Sequence, residues 1–146
     1  MSIADHKTYL TTVDVPMRLS VAAGNEPIIV PLWFAYEDGE LWCACHRNSY
    51  LVKRLKSLIA DAARGWPCAF DISTNEIPYR GLAGTGHVTL HAELGSDKLR
   101  ALTQRYLGQT ATPFAQWLLS RAEDEEALCI HPETTRYWDF SDRMTD

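Results

Sequence analysis

The chain has 146 residues, an apolar share of 46% and a formal net charge of -5 at pH 7. That size and composition fit one globular domain with its own core, and they exclude a disordered chain. The acidic balance argues against a general nucleic-acid binder, which carries a basic face. No stretch is long and apolar enough to span a bilayer, and residues 1–15 lack the charged-then-apolar pattern of a secretory signal. The expectation is a soluble, cytoplasmic protein with neither nucleic-acid nor membrane partners.

The first strand is expected over Met17–Ala23, followed by a turn at Gly24-Asn25 and a second strand over Pro27–Tyr36. Asp38-Gly39 is a hairpin signal, and Glu40–Cys45 reads as the third strand. Both faces of the second strand are apolar. Ile28, Val30, Leu32, Phe34 and Tyr36 lie on one face, and Ile29, Pro31, Trp33 and Ala35 on the other. A strand with one face in water alternates polar and apolar residues, so something must cover both sides here: a core on one, and a helix, a partner subunit or an aromatic cofactor on the other. Pro31 lacks an N–H, which places the strand at an edge or at a bulge.

The period then changes to that of a helix over Asn48–Ala63, with Leu51, Leu55, Leu58, Ile59 and Ala62 on one stripe and Asn48 or Ser49 as N-cap. Pro67–Ser73 and Tyr79–Glu93 return to strand character. A helix capped by Ser96 runs to Tyr106 and stops at Gly108. Thr112-Pro113 opens a third helix, with Phe114, Trp117, Leu118 and Arg121 on one side. Glu123–Glu126 reads as a solvated acidic turn, and Ala127–Ile130 and Thr135–Phe140 as two closing strands. The order describes a barrel-like sheet with helices packed outside it, in one domain over residues 1–146 with 1–15 as an N-terminal segment.

The richest stretch for chemistry runs from Trp42 to Leu55. A strand ends near Cys45, a polar turn follows, and a helix begins with Ser49, Lys53 and Arg54 in its first two turns. Free N–H groups and partial positive charge at a helix start suit phosphate. His46, Arg47, Ser49, Lys53 and Arg54 thus form a candidate phosphate cradle. On spacing alone, an ordinary capped helix with a solvated basic face is the more economical reading. Cys43-x-Cys45-His46 has no second zinc-like cluster to complete it, so no metal site is read. Cys43, Cys45, Cys68 and Cys129 are expected as reduced, mostly buried thiols. His87 and His91 stand about 13 Å apart on a strand and cannot share one metal. Gly81, Gly84 and Gly86 sit inside a strand-like run, where glycines mark a bulge or a tight barrel bend rather than a dinucleotide loop. No nucleophile triad is legible. His46 and Tyr79 are the only acid–base candidates, and both fit structural roles as well.

Taken in order, the segments Pro16–Ala23, Pro27–Ala35, Asp38–Trp42, Ser49 with Lys53-Arg54-Leu55, Cys68–Asp71, Pro78–Gly81 and Tyr137–Ser141 resemble the FMN-binding split β-barrel proteins, the superfamily of pyridoxamine-phosphate oxidase. The resemblance covers nearly the whole chain, from Pro16 to Ser141. It implies a mainly β fold with flanking helices, a six- to seven-stranded split β-barrel, and a homodimer with FMN, or a related deazaflavin cofactor, at the subunit interface. It implies that Val30, Pro31, Leu32 and Trp33 face the flavin ring, that Cys45, His46, Arg47, Ser49, Lys53 and Arg54 hold its phosphate, and that Trp138 approaches from the partner. The implied activity is flavin-dependent oxidoreduction of a small molecule. A non-catalytic flavin, deazaflavin or haem carrier is the alternative, and a cofactor-free dimeric partner module is a third reading.

The chain also departs from that pattern. The oxidase proper has an arginine where Val30 stands, a threonine-asparagine pair where Cys45-His46 stand, and an Arg-Lys pair where Tyr50-Leu51 stand. Its C-terminal basic and histidine motif is not evident in Arg136–Asp146, and the connection over Lys56–Trp66 is long for the family. These differences point away from oxidation of vitamin B6 phosphates and toward the uncharacterised and deazaflavin-using branches.

Overall fold

The computed structural model describes residues 3–60 and 64–144. Its seven strands are β1 (Met17–Val21), β2 (Ile28–Leu32), β3 (Ala35–Glu37), β4 (Glu40–His46), β5 (Trp66–Ser73), β6 (Arg80–His91) and β7 (Glu125–Asp139). The helices are α1 (Lys7–Thr12), α2 (Tyr50–Ile59), α3 (Gly95–Leu107) and α4 (Pro113–Ser120). All strands join one antiparallel sheet in the order β2-β1-β5-β6-β7-β4-β3. The fold is mainly β, as the sequence predicts.

The local signals act as their chemistry requires. Asp38 and Gly39 both take positive φ (51° and 85°), the backbone of a tight hairpin turn between β3 and β4. The Ser49 hydroxyl caps α2 by accepting from the Val52 N–H at 3.2 Å, and Thr112 caps α4 by accepting from the Ala115 N–H at 3.2 Å. Gly108 ends α3 at φ 71°.

The sheet curls around a core of inward residues. Met17, Leu19 and Val21 of β1, Phe70 and Ile72 of β5, Leu82 and Val88 of β6, and Leu128 and Ile130 of β7 all belong to it. α2 seals this core with Leu51, Val52 and Leu55. The opposite face of the sheet is covered where α3 packs on β4 and β7.

Several expectations are corrected. The segment Pro27–Tyr36 is not one strand. It breaks at Trp33-Phe34 into β2 and β3, which lie at opposite ends of the sheet order. The sheet can close on itself only if its edges approach there, since three residues span at most about 11 Å. The apolar run on both faces is therefore the seam where the barrel splits. β2 is an edge strand, as Pro31 requires. The N-terminal segment carries a short 3-10 turn (Ile3–His6) and α1, neither of which the sequence signals. α2 ends at Ile59, and the expected stripe position Ala62 lies outside the described residues. The strand expected over Tyr79–Glu93 stops at His91 and turns through Ala92–Leu94. α3 starts at Gly95 without a side-chain cap, so Ser96 lies inside the helix.

The C-terminal third differs most. The two expected closing strands are one 15-residue strand. Pro132, between the two expected strands, sits opposite Gly86 at the β6–β7 register shift, where an irregular ladder accommodates a residue without an N–H. Glu125 and Glu126 are buried at the start of β7 instead of solvated, and Lys56 pairs with Glu126 at 2.6 Å. The stripe expected on α4 is outward: Phe114 and Trp117 are 53% and 52% exposed, while Ala115 faces inward.

Candidate cofactor site at the barrel split

The hairpin fixes what flanks the split. Ala35 faces Trp42 and Tyr36 faces Leu41, so continuing that register would set Leu32 against Cys45 and Pro31 against His46. The first arm instead leaves the ladder at Phe34 to pair with β1. The two groups of sequence-predicted cofactor residues, Val30–Trp33 and Cys45–Arg54, thus border the same seam from opposite sides.

The seam is pinned by α3. The Arg105 guanidinium donates to the carbonyls of Leu10 (2.9 Å), Val13 (2.8 Å) and Phe34, and lies over the Phe34 ring. The Tyr106 hydroxyl accepts from the Phe34 N–H and donates to the Val15 carbonyl at 3.1 Å. Burial pushes the Tyr106 phenol above its ordinary range, so it stays a donor. Trp33 stacks flat on the Tyr106 ring, with centroids 5.0 Å apart. Val30 and Leu32 pack against the core, whereas Ile29 (70% exposed) and Pro31 point outward.

Across the seam, the Cys45 thiol meets the Ser49 hydroxyl at 3.2 Å. Burial raises that thiol's pKa, and the Ser49 contact opposes the shift only partly, so Cys45 remains a neutral thiol. Arg47 pairs with Asp124 at 3.1 Å. His46 accepts from the Asn48 N–H through Nδ1, which leaves Nε2 turned to Asp124 at 4.0 Å. Asp124 therefore occupies two of the residues expected to hold phosphate. Lys53 and Arg54 form no ion pair among the described residues, and Lys53 is exposed. Beside Cys45, burial pushes the Glu125 carboxyl upward despite Arg121, and its Oε2 has no hydrogen-bond partner among the described residues.

A second feature is a groove of about 700 Å³ on the outer face of the sheet, beyond the reach of α3. Arg18, Asp71 and Arg136 rim it, and Ala69, Ala83 and Gly84 make a flat floor. Ile29 from β2 reaches this groove. A Cβ on Gly84 would collide with the Thr134 carbonyl and the Phe70 ring, so only glycine allows β6 and β7 to close here. Sequence reasoning missed this groove. Its residues come from five strands, and alternation would have shown only that Arg18, Ser20, Ala69 and Asp71 share one face.

No family model matches the chain, and no curated protein matches it by sequence. Solved structures do. A conserved hypothetical protein from Mycobacterium tuberculosis matches with TM-score 0.72 and 19% identity, over 95% of this chain and 85% of that one. An F420 reductase matches with TM-score 0.67 and 18% identity, over 88% and 94%. An FAD- and haem-binding protein from Mycobacterium smegmatis matches with TM-score 0.64 and 16% identity, over 93% and 70%.

The chain has the split-barrel fold of the pyridoxamine-phosphate-oxidase-like proteins.

Within the split barrel, Trp138 lies over Gly81, where any Cβ would strike its ring. With Tyr79 it lines a shallow pocket apart from the Cys45–Arg54 side of the seam. His87 and His91 engage Glu133 and Thr89 separately, in keeping with their strand spacing. All four cysteines are reduced, with Cys43 in the core. No helix among the described residues is long and apolar enough to cross a membrane.

Proposed function

We propose that this split barrel is a homodimeric, flavin-dependent oxidoreductase acting on a small molecule, with FMN or a deazaflavin as cofactor. The observation that carries the reading is the seam, bordered by the edge strand β2 and by a helix start whose Lys53 and Arg54 lack acidic partners among the described residues. Those two cations fit the phosphate of a flavin nucleotide, with Ser49 beside them at the helix start. His46 and Arg47 fit it less well, because Asp124 would compete with the phosphate for both. Along Val30–Trp33, the outward Pro31 and the strand backbone would face the ring, since Val30 and Leu32 pack inward. The uncovered groove with Ile29 is the surface for the second subunit, which would bring its Trp138 to the site.

Bound flavin would supply hydride exchange, and the chain would bind, orient and shield it. Arg105 and Tyr106 hold the seam rigid for that task. Two neighbouring folds carry flavin-type names, an F420 reductase and an FAD- and haem-binding protein, which supports the cofactor class. A second reading is flavin or haem binding without turnover. It is favoured by the neutral Cys45 thiol and the engaged His46, neither of which is poised as an acid or base.

The test is affinity. Combined Lys53→Ala and Arg54→Ala should weaken FMN or deazaflavin binding by at least about tenfold, the loss of roughly 1.4 kcal/mol, with an unchanged melting temperature. Arg47→Ala should change it far less. Equal affinities for all three proteins would remove the phosphate assignment. Reoxidation of the reduced, bound cofactor by acceptors separates enzyme from carrier.

A further inference from the structure

Three residues from β4 and β7 converge on the outer face of the sheet. Glu40 stands on β4, and Cys129 and His131 stand two residues apart on β7, so they share a face. Leu41 pairs with Ile130, which sets Glu40 opposite His131. Glu40 Oε2 lies 2.5 Å from His131 Nδ1 and 3.3 Å from Cys129 Sγ, and all three donor atoms lie within 4.8 Å of one another. Ligands around a tetrahedral ion with bonds of about 2.0–2.3 Å stand roughly 3.3–3.7 Å apart, so a small adjustment admits an ion.

The surroundings are those of a built site. His131 Nε2 meets the Thr89 hydroxyl at 2.9 Å, and that hydroxyl meets His91 Nε2 at 2.8 Å. Metal-binding histidines are oriented in this way, with the distal nitrogen held so that the other faces the ion. His91 in turn rests against the Trp42 ring. Cys129 is 1% exposed, whereas Glu40 and His131 reach solvent, so one side remains open for water or a ligand. The nearby Lys98 is engaged by Glu37 at 2.6 Å and lies over Trp42.

We propose that Glu40, Cys129 and His131 bind a zinc-type divalent transition ion, with Thr89 as the residue that positions His131. One sulfur, one nitrogen and one oxygen donor match the borderline character of zinc, and three protein ligands leave a fourth position open. Binding releases the Cys129 thiol proton, and a carboxylate and a thiolate then balance the two positive charges of the ion. The site is independent of the flavin reading.

The experiment is chelator-competition titration of the full chain with Zn²⁺, paralleled by Co²⁺ as a spectroscopic probe. The expected result is one ion per chain and a thiolate-to-cobalt charge-transfer band. Cys129→Ser should abolish the band, and Thr89→Val should weaken zinc binding by about 10- to 100-fold. Glu40→Gln, at a partly exposed position, serves if the cysteine variant melts early, and should weaken binding at least about tenfold. Failure to bind one equivalent would overturn the proposal. So would binding left unchanged by Cys129→Ser and Glu40→Gln, since the ion would then sit on other surface histidines.

Discussion

Replacing Arg105 with alanine removes the clamp that holds the seam. Three carbonyls, those of Leu10, Val13 and Phe34, lose a charged donor, and two rings lose the guanidinium stacked on them. A hydrogen bond to a charged group contributes roughly 1.5–3 kcal/mol, and contributions within one network do not add fully. Partial access of water to the vacated carbonyls lowers the sum further. We therefore expect a loss of about 3–5 kcal/mol. At about 2.1 cal/mol/K per residue, a chain of this length has an unfolding entropy near 0.3 kcal/mol/K, so each kcal/mol moves the melting temperature by roughly 3 °C. Arg105→Ala should melt about 10–16 °C lower by circular dichroism. Arg105→Lys, which keeps the charge without the fork, should recover less than half of that. A drop under about 3 °C for the alanine variant would show that the clamp does not hold the seam.

Other expectations follow from the same geometry. Gly84→Val should cost about 3 kcal/mol or more, seen as a collapse of thermal stability, because the new side chain meets the Thr134 backbone. A wild-type melting curve would mean that β6 and β7 are not so tightly closed. Glu125 has a raised pKa in the folded chain, so its ionisation opposes folding as pH rises above the ordinary carboxyl value of 4.5. Glu125→Gln should thus melt higher than wild type at pH 7, with the gain fading below pH 4.5; a gain of equal size at both pH values would exclude ionisation as its cause. Ile29→Asp should turn the expected dimer into a monomer in sedimentation at micromolar concentration without unfolding it, whereas an unchanged mass would place the subunit interface elsewhere.

Much of the fold was legible because local signals dominate it. Ser49 and Thr112 cap helices, Asp38-Gly39 turns a hairpin, and Gly108 ends a helix, each by chemistry confined to a few residues. What the sequence hid was long-range. The break at Trp33-Phe34 depends on Arg105 and Tyr106, more than 70 residues away, so β2 and β3 read as one strand. The closing strand read as two because nothing local reveals the register shift at Gly86 that accommodates Pro132. Glu125 and Glu126 looked solvated because charge is normally exposed; Lys56 on α2 pairs with one, and the other is buried with a raised pKa. At the candidate site, the helix start was visible, but Asp124 beside His46 and Arg47 was not. The Glu40, Cys129 and His131 cluster was invisible for the same reason, since only the β4–β7 register brings Glu40 to Cys129 and His131.

The most direct test of the cofactor reading is a titration of the purified wild-type chain with FMN and with a deazaflavin, followed by visible absorbance and by quenching of its five tryptophans. Saturation at one cofactor per chain, with micromolar or tighter affinity for at least one of the two, is the predicted result. Neither cofactor binding at that level would contradict the flavin assignment and leave only the fold.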